Sequence, residues 1–157
     1  ITPSIMTWTQ YVEAAFNYLH RTVNFATGKP LPAEYQPDYT RCADHFLLHA
    51  GGYAILRGVQ KGMRLPADKM LPSFVSLRDY GNTSSASTWY TWTYQEATGG
   101  VKRNERVLQV GVGGGMKCGV ALWVALRDIK DNHACWDHLA GRVQTEADLP
   151  RPISVEY

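Results

Sequence analysis

Apolar residues recur at helical spacing near the start of the chain. Ile5, Trp8, Val12, Ala15, Phe16, Leu19 and Val23 follow the 3.6-residue period, which predicts an amphipathic helix over about Ile5 to Phe25. Thr7 and Gln10 fit a capping box at its start, and Gly28 with Pro30 form a stop signal. Gly28 to Tyr39 carries three prolines and reads as a connecting loop. Phe46 to His49 is a short strand-like run that meets Gly51-Gly52, and Tyr53 to Lys61 has helical spacing ending near Gly62. Leu65 to Tyr80 reads as mixed, with Pro66 and Pro72 as breakers and Phe74 to Leu77 as a short extended piece. Thr83 to Thr98 reads as a helix capped by Thr83 or Ser84 and stopped by Gly99-Gly100, despite a Thr and aromatic content that is poor for helix on propensity alone. Arg106 to Val112 and Cys118 to Leu126 read as strands. The glycine-rich turn from Gly113 to Lys117 between them allows an antiparallel pair. The second strand is apolar at successive positions, the pattern of a strand covered on both faces.

Composition narrows the class. The chain has 157 residues, 45% apolar and 19% charged, the make-up of a globular protein that buries roughly 70% of its unfolded surface. Net charge is +2 with no basic run, so nothing points to nucleic acid. No apolar run approaches the ~20 residues of a membrane helix. The chain starts at Ile1 and reads as a piece of something longer. Cys42, Cys118 and Cys135 are odd in number and lack CxxC spacing, which fits a reducing compartment.

Three constellations carry candidate chemistry. His45 and His49 share one face of a strand or helix, but the glutamate of a HExxH zinc motif is missing. Cys42, His133, Cys135 and His138 are the other metal-ligating types near enough to consider. His49 is either a satisfied core histidine or a site residue. Its position before Ala50-Gly51-Gly52 favours the second, because glycines let the backbone turn and a substrate approach. Gly81-Asn82-Thr83 is a turn and helix start, and Asn82-Thr83-Ser84 also matches a glycosylation acceptor. Beside an imidazole, the Asn82 amide could serve as a second fixed donor to one oxyanion. Gly111 to Gly115 fails both the dinucleotide and the phosphate-loop fingerprints. It is either a hairpin turn alone or a turn whose N–H groups pass close to a thioester carbonyl.

Three longer runs carry a resemblance: Asp44 to Gly52 (DHFLLHAGG), Tyr80 to Tyr90 (YGNTSSASTWY) and Arg106 to Cys118 (RVLQVGVGGGMKC). In order and spacing they resemble 3-ketoacyl-CoA synthases of very-long-chain fatty acid elongation and, more distantly, type III polyketide synthases and ketoacyl-ACP synthases. The likeness runs from about Tyr35 to Leu126. It implies an α/β fold, the C-terminal half of a thiolase-like fold, with helices packed on a mixed sheet. Residues 1–34 would be a lead-in helix and linker, 35–130 the core and 131–157 a peripheral tail. By resemblance His49 and Asn82 are catalytic, Gly113, Gly114 and Gly115 form the oxyanion and substrate loop, and His45 is a supporting residue. The nucleophilic cysteine of such enzymes lies upstream; Cys42 does not match its place, and Cys118 matches a structural cysteine. Leu47-Leu48, Tyr53 and Gly114 depart from the usual Cys-Ile, basic residue and Ser of the elongases.

The resemblance implies a decarboxylative condensation of acyl-CoA with malonyl-CoA that needs no metal or organic cofactor. It implies a missing N-terminal half as partner, a homodimeric parent, and a parent at the endoplasmic reticulum membrane with this part soluble on the cytosolic side. The other readings are a type III polyketide synthase half and a non-catalytic half-domain that only packs on its partner half.

Overall fold

A computed structural model describes residues 5–115, 117–139, 142 and 144–149. The chain divides into two compact units, Ile1–Cys42 and Ala43–Tyr157.

The first unit is built on α1 (Trp8–Ala26). The expected capping box forms: the Thr7 N–H donates to Gln10 Oε1 at 3.0 Å. The helix ends at Thr27, and Gly28 then adopts φ 67°. The polar stripe of α1 holds the proline-rich return segment, whose own backbone has few partners. The amides of Asn17 and Asn24 donate to Ala33 O at 3.1 Å and Pro30 O at 2.8 Å, and Arg21 donates to Pro32 O at 2.7 Å. Buried Gln10 donates to Asp38 O at 2.8 Å. The apolar stripe faces outward: Trp8, Phe16 and Phe25 are exposed.

The second unit is a mixed α/β layer. Its elements are β1 (His45–Leu48), α2 (Tyr53–Met63), α3 (Ala67–Tyr80), α4 (Ser87–Thr98), β2 (Arg106–Gly113) and β3 (Lys117–Val124). The sheet order is β1-β2-β3. β1 pairs with β2 in parallel, Phe46 opposite Leu108, and the helices α2 to α4 make the long crossover that a parallel pair requires. β2 and β3 form the expected antiparallel hairpin, from Arg106 opposite Val124 to Gly113 opposite Lys117. Phe46, Leu47 and Leu48 are all buried, so β1 is covered on both faces. On one face Leu47, Val107, Val101 and Ala125 form a cluster joined by Trp92 and Ile129.

One expectation is corrected. Leu65 to Tyr80 is not a broken segment: α3 runs unbroken from Ala67 to Tyr80. Pro66 is its N-cap residue, where a missing N–H does no harm. Pro72 lies inside and forgoes only its bond to Asp68 in the first turn. The burial of Met70, Ser73, Phe74, Val75 and Ser76 holds the helix against that loss. Among the described residues β3 lies at the sheet edge, and its apolar side chains Leu122, Trp123 and Val124 are 39%, 45% and 54% exposed, as suits a chain expected to pack on a partner half.

Beyond Lys130 the 3₁₀ turn Ala134–Leu139 brings Trp136 back into the core, 1% exposed. No helix among the described residues is long and apolar enough to cross a membrane.

Candidate active site

His49 sits one residue past β1. Its N–H donates to Val110 O at 2.9 Å, which extends the parallel ladder beyond the strand. The chain then turns sharply, the Gly51 N–H donating to His49 O at 2.8 Å. Gly52 caps α2, accepting from the Leu56 N–H at 3.0 Å. His49 is half-buried there.

Asn82 arrives from the end of α3. Tyr80 is fixed by rings: Tyr90 at 4.5 Å and Trp136 edge-on at 5.0 Å. The Tyr80 hydroxyl also donates to Cys135 O. Gly81 breaks the helix with φ 68°, a conformation L-residues resist. The Asn82 amide is then held at both ends. Its Oδ1 accepts from the Ser84 N–H at 2.9 Å, and its Nδ2 donates to Gly51 O at 3.2 Å. The two contacts together orient the amide. The cap of the following helix differs from expectation. Ser84 has φ 56° and lies in a 3₁₀ turn Ser84–Ala86, and Ser87 Oγ accepts from the Thr83 N–H at 3.1 Å.

The β2–β3 hairpin closes the other side. A cleft of about 360 Å³ is lined by His49, Ser85, Thr88, Gly113, Lys117 and Cys118. Thr88 is 6% exposed, and its Oγ1 accepts from Gln109 Nε2 at 3.2 Å. His49 and Gly113 thus share a cleft; Asn82 does not line it, and its amide is bound to the Gly51 carbonyl two residues past His49. Gly114 and Gly115 lie at the exposed tip of the hairpin, Gly115 with φ 72°, and do not line the cleft. A larger hollow of about 690 Å³ between Tyr94, Lys130 and Trp136 contains none of the motif residues.

His45 stands at the opposite end of β1, roughly 13 Å along the strand from His49. Its Nε2 is 2.8 Å from Glu105 Oε2, and this hydrogen bond holds the Glu105 carboxyl below its ordinary value. The remaining histidines of the tail are likewise paired with carboxylates, His133 with Glu96 at 2.7 Å and His138 with Asp79 at 2.9 Å. Among the described residues no group of three or more His, Cys, Asp or Glu could hold a metal ion. Cys42 is fully buried against Gln10, Cys135 is half-buried, and Cys118 is exposed.

Sequence reasoning did not single out Ser85, Thr88 or Lys117 as cleft residues, nor Gly51 as the contact shared by His49 and Asn82. The double glycine was visible; which of the two meets the imidazole depends on the turn.

The chain matches the family model described as 3-oxoacyl-(acyl-carrier-protein) synthase III, C terminal, over residues 41–125. It is 38% identical over 122 residues to 3-ketoacyl-CoA synthase 8 of Arabidopsis thaliana, covering 77% of this chain and 25% of that protein. It is 46% identical over 100 residues to the probable 3-ketoacyl-CoA synthase 14, covering 64% and 22%. With 3-ketoacyl-CoA synthase 16, also from Arabidopsis thaliana, it shares 32% over 139 residues, 88% of this chain and 28% of that protein. The chain thus spans about a quarter of the length of the curated relatives it matches. No solved structure matches it.

Proposed function

The chain belongs to the 3-oxoacyl-(acyl-carrier-protein) synthase III C-terminal family and is thiolase-like in fold; from this we propose that it is the C-terminal part of a 3-ketoacyl-CoA synthase. The enzyme would join an acyl-CoA to malonyl-CoA with loss of CO₂, giving a 3-ketoacyl-CoA in very-long-chain fatty acid elongation. The observation that carries this reading is that the His49 ring and the Asn82 amide both lie against Gly51, the ring beside its Cα and the amide on its carbonyl.

The chemistry follows from that placement. When malonyl-CoA loses its carboxylate as CO₂, the bonding electrons move onto the α-carbon and the thioester oxygen. An imidazole N–H from His49 and an amide N–H from Asn82 stabilise that enolate oxygen. The enolate carbon then attacks an acyl thioester, and the thiolate leaves. The thiol belongs to a cysteine upstream of this chain, and the β2–β3 glycine turn, of which Gly113 lines the cleft, serves the acyl thioester oxygen. His45, paired with Glu105, is structural. The exposed apolar edge of β3 supports a missing N-terminal half as the partner that covers it. In this reading the parent is a dimer at the endoplasmic reticulum membrane.

Half-reactions test the proposal in the condensing enzyme that contains this chain. Asn82→Ala should still accept an acyl group but lose malonyl-CoA decarboxylation by about 10²–10³, and His49→Ala should impair both steps. Normal decarboxylation in Asn82→Ala would remove the assignment. The 157-residue chain alone should take up no labelled acyl group. A stoichiometric thioester on Cys42, Cys118 or Cys135 would place the nucleophile here instead.

A further inference from the structure

We infer that Gly51 is a positioning residue for the condensation, its lack of a Cβ admitting the His49 imidazole and its carbonyl holding the Asn82 amide. The inference rests on the roles proposed for those two residues. A Cβ at position 51 would stand 3.1 Å from His49 Cδ2, 3.4 Å from its Nε2 and 3.5 Å from Ile55 Cδ1. The first contact is closer than side chains tolerate without yielding. The ring or residue 51 must then give by a few tenths of an ångström, while Ile55 Cδ1 stands at ordinary contact distance.

Backbone conformation is not the reason for glycine here. Gly51 is outside the left-handed region, whereas Gly81 adopts φ 68° and has nothing within 4 Å of its Cβ direction. Gly81 is a conformational glycine; Gly51 is a spatial one. Gly52 meets only Ile55, at 4.0 Å.

The carbonyl of the same residue accepts from Asn82 Nδ2 at 3.2 Å. With Oδ1 held by Ser84, one amide hydrogen is engaged by Gly51, and the second makes no further hydrogen bond among the described residues. A shift of residue 51 that relieves the imidazole contact therefore also moves the acceptor that orients the amide. One backbone position sets the relative placement of both donors.

The test uses the full condensing enzyme with Gly51→Ala. Misplacing a donor by a fraction of an ångström should lower kcat for malonyl-CoA decarboxylation about tenfold. KM for malonyl-CoA should stay within about twofold, and acylation should fall less than decarboxylation, since only His49 serves both steps. In a His49→Ala background the ring is gone, and Gly51→Ala should cost less than about twofold more. Gly51→Ala/Ile55→Ala, which removes the other side-chain contact of the added methyl at a half-exposed residue, should recover part of the loss, and it serves if the single variant folds poorly. Decarboxylation within twofold of normal in Gly51→Ala would overturn the inference. So would an equal loss with and without His49, the mark of a structural glycine. If His49→Ala and Asn82→Ala themselves decarboxylate normally, it is the functional reading that fails.

Discussion

Trp136→Ala should destabilise this chain by about 3–5 kcal/mol, the range for removing a fully buried large aromatic. The structure places the effect toward the upper part of that range. Trp136 is 1% exposed and sits edge-on to Tyr80 at 5.0 Å and to Tyr94 at 5.1 Å. Each such ring pair adds about 0.5–1.5 kcal/mol beyond area. The lost hydrogen bond from Trp136 Nε1 to Thr93 Oγ1, at 3.0 Å, adds little. Thr93 still donates to Tyr90 O at 3.1 Å, so no buried polar group is stranded. For a chain of this size the change corresponds to a fall in Tm of roughly 10 °C. Trp136→Phe keeps one ring edge against both tyrosines and should cost only about 1–2 kcal/mol. Urea and thermal unfolding, followed by far-UV circular dichroism, measure both. A Trp136→Ala variant within 1 kcal/mol of the parent would refute the view that this turn is part of the core. The loss should reach the site, since Tyr80 precedes Gly81-Asn82 and Trp136 braces its ring.

Burial alone raises the Asp79 carboxyl, but hydrogen bonds from Arg78 and His138 outweigh it and hold it below its ordinary value. A carboxyl lowered in the folded state contributes stability above the ordinary range near pH 4 and loses it as pH falls through the folded value. Urea midpoints should therefore drop more steeply below about pH 4 in the parent than in Asp79→Asn, and parallel curves would contradict this. His45→Ala should lower Tm by a few degrees through loss of the Glu105 pair, while decarboxylation in the condensing enzyme stays within about threefold; a hundredfold loss would make His45 catalytic. With an aromatic disulfide reagent, Cys118 should react at once and Cys42 only as the fold opens, and rapid modification of Cys42 would show its burial to be wrong.

The linear pattern determined the pieces that local chemistry controls. The α1 cap follows from Thr7 and Gln10, and the β2–β3 hairpin from a glycine turn between two apolar runs. The motif runs around His49, Asn82 and Gly113 were legible as well, because each combines an apolar strand or helix end with residues that permit a tight turn. Propensity failed where packing overrode it. Pro72 argues for a break, yet α3 persists because a row of its side chains is buried, and only the tertiary fold supplies that burial. β3 looks like a central strand by composition, yet here it is an edge, because hydropathy states what a strand could bury and not what is present to cover it. The tail gave no sign of an anchor: one tryptophan among Asp, Pro and Arg becomes core only when Tyr80 and Tyr94 flank it. The separation of His49 and Asn82 along the chain is fixed by sequence. Their meeting at Gly51 is decided by the parallel crossover, which returns the end of α3 to the end of β1.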